Sequence, residues 1–225
     1  MTFVVAEECR ALGLRAGAVV FRNVRVGPRS AELHSEIAAE AAAVRARFPD
    51  PRAVWSLPEV VRYEEALRAV GVNPRKMRPS VGRLLTYACK HGDLPAVNSL
   101  VDAYNLASVR TLCSMGAHDL DLIALPVALR LLRGDEPFTP LGGDREEPVA
   151  AGEFGYVDAA SRVLCRLDVL QAEFSKVTAR TGSALLIVEG TTAHAPEALR
   201  QAFDEAVALV TRHCGGSAEV VAFSG

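Results

Sequence analysis

The periodicity of the chain changes near Met115, and that change constrains the fold more than any other feature of the sequence. Upstream, apolar residues recur every three or four positions, as in "SAELHSEIAAEAAAVRARF", where Leu33, Ile37, Ala41 and Val44 share one helical face and Ser30 is a candidate N-cap. "LPEVVRYEEALRAVG" reads as a second helix stopped by Gly71, residues 81–90 as a third stopped by Gly92, and residues 94–111 as a fourth. Between the second and the third, "NPRKMRPS" reads as an extended loop, because each proline restricts the residue before it. Downstream of Met115, "LDLIAL", "PVALRLLRG", "PFTPLGG", "GEFGYVD" and "SRVLCRLDV" are short apolar runs broken by Gly, Pro and Asp, the pattern of strands and turns. "SALLIVEG" is the clearest buried strand, "APEALRQAFDEAVALVTRHCGG" a long amphipathic helix and "AEVVAF" a closing strand. Two more strands are expected near the start, at residues 3–5 and around Val19, Phe21, Val24 and Val26. Helices first and strands second favour an α+β fold, with helices packed on mixed or antiparallel sheets, over alternating βαβ units.

A chain of 225 residues that is 50% hydrophobic can bury a sizeable core. Residues 1–225 are expected to form one layered domain, helix-rich over about 1–115 and strand-rich over about 116–225. The formal net charge of −2 provides no global basic field, so a nucleic-acid partner has to be met by a local patch. Cys9, Cys89, Cys113, Cys165 and Cys214 are odd in number and lack CxxC or Cys/His ligand spacing, which points to a reducing compartment, small buried thiols and no zinc. No apolar run reaches the ~20 residues of a membrane span, and "MTFVVAEECRALG" has acids where a signal peptide has bases. A cytoplasmic protein without metal or cofactor is expected. Neither a phosphate-gripping GxxxxGK[ST] loop, a GxGxxG turn nor a GxSxG elbow is present, so nucleotide hydrolysis and serine-esterase chemistry lose support.

Residues 94–111 place Asn98, Asp102 and Asn105 within about 60° of one another on a helix, beside an apolar face of Val97, Leu100, Val101, Tyr104 and Ala107. Side-chain amides donate and accept at once, so this stripe reads as recognition chemistry rather than solvated surface. "GVNPRKMRPSVGRL" sets Arg75, Lys76, Arg78 and Arg83 beside a helix N-terminus, a local anion site suited to phosphates, with Ser80 as a candidate cap. In "SMGAHDLD", His118 and Asp119 are neighbours, but neighbours on a strand face opposite ways, so adjacency does not pair them. Gly116 there marks a close backbone approach or a special dihedral angle. His34, His91, His194 and His213 lack ligand-like spacing and read as surface or core filler.

Together, "GVNPRKMRPS", "LPAVNSLVDAYNLASVRT", "GAHDLD", "PLGG", "GYVD" and "VLCR" resemble the B3/B4 domain, the editing module of the bacterial phenylalanyl-tRNA synthetase beta subunit. More closely, they are similar to the free-standing proteins built from that domain alone. The resemblance spans about residues 58–190, with order and spacing kept. In the synthetase the corresponding helix begins R-P-I-N-N-V-V-D-x-x-N, echoed here from Leu94 and Pro95 through Asn98, Asp102 and Asn105. The loop after it reads roughly G-x-P-x-H-A-F-D there; its histidine falls at Gly116, its aspartate at Asp119, and His118 is displaced by two positions. Gly82 is a second departure, at a position where the free-standing relatives tend to carry an acid.

The resemblance implies a B3/B4 fold and a hydrolase that acts in trans, removing a wrongly attached amino acid from the acceptor end of tRNA. An aminoacyl ester is already activated, so such a site needs a positioned water, donors for the oxyanion and a selective pocket. On that hypothesis Asn98, His118 and Asp119 are the expected catalytic residues: His118 does not inherit the displaced synthetase histidine's role, and either it or Asp119 orders the water in its own way. Asp102, Asn105, Gly116, Asp158, Arg166 and Thr181 are expected to line the substrate, while Arg75, Lys76, Arg78 and Ser80 meet tRNA phosphates. Two other classes stay open: a tRNA- or RNA-binding module without the reaction, and a small-molecule amino-acid-binding protein. Salt dependence of RNA binding and calorimetry with free amino acids separate them.

Overall fold

The structure is a computed structural model that describes residues 2–223. A strand β1 (Phe3–Val5) and a short helix α1 (Glu7–Ala11) lead into β2 (Leu14–Arg22). The helices α2 (Ala31–Arg47), α3 (Pro58–Ala69), α4 (Ser80–His91) and α5 (Ser99–Thr111) follow. Next come β3 (Ser114–Asp119), β4 (Val127–Leu131), β5 (Phe154–Val157), β6 (Val163–Arg166), β7 (Leu170–Gln171) and β8 (Ser183–Thr191). The helix α6 (Pro196–Cys214) and β9 (Ser217–Phe223) end the described chain.

The strands form two sheets. One is antiparallel throughout, in the order β3-β8-β2-β9; the other runs β1-β4-β5-β6-β7 and is antiparallel except for the parallel β1–β4 pair. The expected α+β arrangement of helices on mixed and antiparallel sheets is therefore what the chain adopts. Both early strands pair with strands from the second half, so segments far apart in sequence share one core. In the first sheet, Ser114 lies opposite Glu189 and Gly116 opposite Ile187. Strand alternation then puts Ser114, Gly116, His118, Ile187 and Glu189 on one face. The helix α6 packs along α5 and against β8 and β9. Arg110 ties α5 to its neighbours through Glu40 of α2 (3.0 Å) and Glu205 of α6 (2.7 Å).

Local rules account for most boundaries. Ser30 caps α2 by accepting the Leu33 N–H, and Gly92, at φ 68°, ends α4 in the left-handed region that glycine enters without strain. Gly82 has a packing reason: a Cβ there would lie 2.7 Å from the Trp55 ring of the short 3-10 helix Pro51–Ser56, so no acid fits. The chain differs from the sequence expectations in several places. The fourth helix begins at Ser99 rather than at residue 94, leaving Asn98 as an extended N-cap and Val97 exposed outside it. Ser80 does not cap α4; Pro79 holds the cap position and the Ser80 hydroxyl turns elsewhere. "NPRKMRPS" is a turn wound on Asn73, whose side chain and carbonyl accept from the Arg75 and Lys76 N–H groups, and is not extended. "LDLIAL" opens as a single 3-10 turn, Leu120–Leu122, instead of a strand, while "SMGAHD" is the strand β3. The second strand runs Leu14–Arg22 and leaves Val24 and Val26 beyond its end.

The placement of α5 rests on a buried ion pair. Arg29, in the loop before α2, donates from Nε to Asp102 Oδ2 (2.8 Å) and from its other nitrogens to Asp93 (2.7 Å) and to the carbonyls of Leu94 and Pro95 (2.9 Å each). Asp102 is 0% exposed, and its other oxygen accepts the Val97 N–H at 2.9 Å. Removing one partner of such a pair strands a buried charge. Asp102→Ala is expected to cost about 3–5 kcal/mol, read as a lower urea midpoint at unchanged m.

Candidate functional site

A cavity of about 120 Å³ lies between the two sheets. Its walls come from β3 and β8 on one side, from β5, β6 and the β6–β7 turn on the other, and from Ser80 of α4 and Tyr104 of α5. For comparison, an apolar cavity of about 150 Å³ admits a benzene ring, so this space suits an amino-acid side chain of moderate size. It differs from an apolar cavity in its floor, where two carboxyl groups, Asp168 and Glu189, line the same hollow.

Asp168 is aimed by strained backbone. Leu167 and Asp168 have φ of 54° and 61°, and the Val169 N–H closes the turn onto the Arg166 carbonyl at 3.0 Å. Three residues, 167–169, join the paired Arg166 and Leu170, and the first two of them lie in the left-handed region that such turns normally give to Asn or Gly. Here burial of the Leu167 side chain in the core accompanies the strain, and the carboxyl is delivered inward. The Ser80 and Ser114 hydroxyls donate to Asp168 Oδ2 at 3.0 and 2.7 Å. Burial pushes the Asp168 carboxyl up to about 7 in spite of these donors. Glu189 is raised well above the usual carboxylate range by burial and by the nearby charge of Asp168. One of its oxygens accepts the Tyr156 hydroxyl, while Oε1 is buried without a partner among the described residues. Asp168 takes up and releases a proton near neutrality, and the unpartnered Glu189 Oε1 is a buried polar position open to a ligand group.

Conventional nucleophiles are disarmed. Burial lifts the Cys165 thiol well above its ordinary value, so it stays protonated, and both serine hydroxyls engage a carboxyl rather than a histidine. His118 presents its ring to the cavity, with Nδ1 2.9 Å from the Ser175 hydroxyl. Burial lowers its pKa to about 4, so it is neutral at physiological pH. Gly116 leaves open space, since a Cβ there would meet nothing within 4 Å. This corrects the expectation of a close approach or special dihedral: what the glycine provides is room. Gln171 closes one end of the hollow by donating across the sheets to the Ala117 carbonyl at 3.0 Å.

The residues singled out in the sequence divide sharply. His118 and Gly116 line the cavity; Ser80 and Met115 line both it and an adjoining groove, and Asn105 lines that groove. Asn98 does not reach the cavity, because its Oδ1 accepts the Val101 N–H as a helix cap (3.0 Å) and its Nδ2 donates to the Val177 carbonyl (3.4 Å). Asp102 is committed to Arg29. Asp119 points away from His118, as strand alternation requires, and accepts from the Thr181 hydroxyl at 2.6 Å. Asp158 accepts from Arg162 and from the Ala124 and Ala160 N–H groups, which outweigh the upward push of burial and hold its carboxyl below the usual range. Arg166 pairs with Glu153 at 2.7 Å, and Arg78 stacks on Trp55 and meets Glu64. Arg75 and Lys76 are exposed and have no ion-pair partner among the described residues. Among the described residues, no group of three or more His, Cys, Asp or Glu could hold a metal ion, and no helix is long and apolar enough to cross a membrane.

Asp168 and Glu189 were missed in the sequence. A lone acid inside the apolar strand "SALLIVEGT" was the available signal for Glu189, since buried acids are rare unless they have a task. Nothing in "VLCRLDV" marks Asp168, because Leu-Asp is not a preferred pair for that turn.

The fold and the cavity define an α+β protein with a protonatable inter-sheet pocket and no activated side-chain nucleophile. The chain belongs to the B3/4 domain family, whose profile matches residues 62–215. It is also similar to a solved N-terminal fragment of the phenylalanyl-tRNA synthetase beta-subunit from Pyrococcus horikoshii, at 15% identity and a TM-score of 0.49, over 96% of this chain and 50% of that fragment. The chain thus spans half the length of that fragment. No curated protein matches the chain.

The raised Asp168 pKa carries a stability signature. The folded state holds that proton between about pH 4 and 7 while the unfolded chain has released it, so this group's contribution falls as pH rises through that window. Asp168→Asn removes the contribution. The melting temperature of the variant relative to the wild type is therefore expected to climb from pH 4 to 7 and then level off.

Proposed function

We propose that the chain is a hydrolase of aminoacyl-tRNA esters, acting in trans to free tRNA from a wrongly attached amino acid. The observation that carries this reading is a cavity of side-chain size whose floor bears a carboxyl with a pKa of about 7 and whose thiol and hydroxyls are not activated as nucleophiles. Family membership supports it, since editing modules belong to the same family.

In this mechanism the amino-acid side chain enters the cavity and its ester stands at the rim. Asp168, ionised at and above neutrality, takes a proton from a water held by the Ser80 and Ser114 hydroxyls. The water oxygen bonds to the carbonyl carbon, and the tetrahedral intermediate then expels the ribose oxygen, which recovers the proton from Asp168. Neutral His118 orients the acyl group through Nε2, and Gly116 leaves it room. Asn98, Asp102, Asp119, Asp158, Arg166 and Thr181 act as positioning residues that hold the walls and the start of α5. Arg75 and Lys76 steer the phosphates of the acceptor strand, with Arg78 braced behind them. The unpartnered Glu189 Oε1 favours side chains that carry a hydrogen-bonding group, and a site built to satisfy such a group discriminates well against analogues lacking it.

The test is a panel of mischarged tRNAs incubated with substoichiometric protein. At least one is expected to turn over, with a rate that rises with pH through about 7. Asp168→Asn is expected to lower that rate by about 10²–10⁴-fold. Gly116→Leu, which fills the open space, is expected to abolish turnover while the protein stays folded. No turnover across the panel, or an unaltered rate in Asp168→Asn, defeats the reading.

A further inference from the structure

We propose that Tyr63 of α3, which does not itself line the hollow, is a positioning residue for it: the Tyr63 hydroxyl bridges the backbones of Ser114 and Glu189 and so sets the aim of both their side chains. The catalytic consequence rests on the function proposed above, whereas the link between the residues does not.

Tyr63 is 2% exposed and its hydroxyl reaches into the first sheet, where it donates to the Glu189 carbonyl at 2.5 Å and accepts the Ser114 N–H at 3.3 Å. Ser114 and Glu189 lie directly opposite each other in the β3–β8 register. One phenol oxygen thus spans the two strands at a pair whose side chains both face the hollow. Backbone fixed at that point fixes the side chains it carries: the Ser114 hydroxyl donates to Asp168 Oδ2 at 2.7 Å, and the Glu189 carboxyl accepts the Tyr156 hydroxyl. The Tyr63 ring is held in turn, edge-on to His194 at a centroid distance of 6.5 Å, and the His194 imidazole is pinned between the Thr191 N–H and the Leu112 carbonyl, both at 3.0 Å. An apolar ring would fill the same space, so the polar tip is what the position adds to packing.

The consequence falls on Asp168. Without the phenol bridge the Ser114 backbone is released, and the Ser114 hydroxyl loses its aim at the Asp168 carboxyl. A donor to the ionised form lowers a carboxyl pKa, so its loss raises it. The other titratable groups facing Asp168 are Glu189 of β8, Tyr156 of β5, Cys165 of β6 and His118 of β3, with Tyr63 behind them on α3. Tyr63→Phe removes a neutral hydroxyl and alters the charge of none of these groups.

The test labels the protein with aspartate enriched in carbon-13 at the side-chain carboxyl. The Asp168 signal, identified by its absence in Asp168→Asn, is followed by NMR from about pH 4 to 9 in wild type, Tyr63→Phe, Ser114→Ala and the double variant, each checked for folding by circular dichroism. Ser114→Ala is expected to raise the Asp168 midpoint by about one pH unit, the worth of a hydrogen bond to a charged group, and Tyr63→Phe by at least about half of that. The double variant is expected to match Ser114→Ala, because Tyr63 acts through Ser114. In turnover of a mischarged tRNA, the pH–rate midpoint is expected to follow the NMR midpoint at unchanged KM; a loss of packing alone lowers the melting temperature and moves neither midpoint. An unmoved Asp168 midpoint in folded Tyr63→Phe overturns the assignment, as does an equal further shift when Tyr63→Phe is added to Ser114→Ala. Should Tyr63→Phe not fold, Ser114→Ala decides: a raised midpoint keeps the link through which Tyr63 acts, and an unmoved one removes it. A moved NMR midpoint without turnover of any mischarged tRNA removes the hydrolase and leaves the positioning role, whereas turnover with an unmoved midpoint does the reverse.

Discussion

The buried pair of Arg29 and Asp102 is the interaction on which the site's geometry depends. A single guanidinium reaches a fully buried carboxylate, a second aspartate and two backbone carbonyls, and so pins residues 93–97 and the first turn of α5 together. The Ser99 N–H and hydroxyl add bonds to Gly27 from the same loop. A helix anchored at its first turn presents later residues at fixed angles, which is how Tyr104 reaches the cavity and Asn105 the groove. Ionic partners in an apolar setting contribute little net stability over a hydrophobic substitute, yet they tolerate no alternative register, because any shift strands a charge.

Around that anchor the protein keeps two acids out of water. Low-dielectric surroundings disfavour their charged forms, the Asp168 charge raises Glu189 further, and the donors supplied by Ser80, Ser114 and Tyr156 only partly offset the cost. The left-handed turn at Leu167 and Asp168 adds backbone strain to this electrostatic cost. Unfavourable terms of two independent kinds thus meet at one cavity, the clustering by which candidate functional sites are recognised. The surrounding apolar sheets and helices supply the compensating burial.

Much of the architecture could be read from local chemistry. Ser30 caps, Gly92 stops, and the apolar periods of α2 and α6 lie where sequence rules put them, since these signals act within a few residues. The failures share a cause. Residues 94–98 continue a helical pattern yet stay outside the helix, because Arg29 claims the Leu94 and Pro95 carbonyls from more than 60 positions away. Ser80 abandons its capping role because Asp168, 88 residues downstream, accepts its hydroxyl. His91 reads as filler in the sequence, and only the packed structure sets its ring beside Tyr87 at the rim of a groove.

By itself the sequence determined the α+β class, the identity of most helices and strands, and the family kinship carried by several linked motifs, because periodicity, caps and motif order are properties of neighbouring residues. Only the tertiary structure decided which polar side chains meet. It sent Asn98 and Asp102 to structural partners, turned His118 and Gly116 toward a cavity, and brought Asp168 and Glu189 into one hollow. The physical reason is that pKa values, open acceptors and room for a ligand arise from burial and from contacts across long sequence separations, which no local pattern encodes.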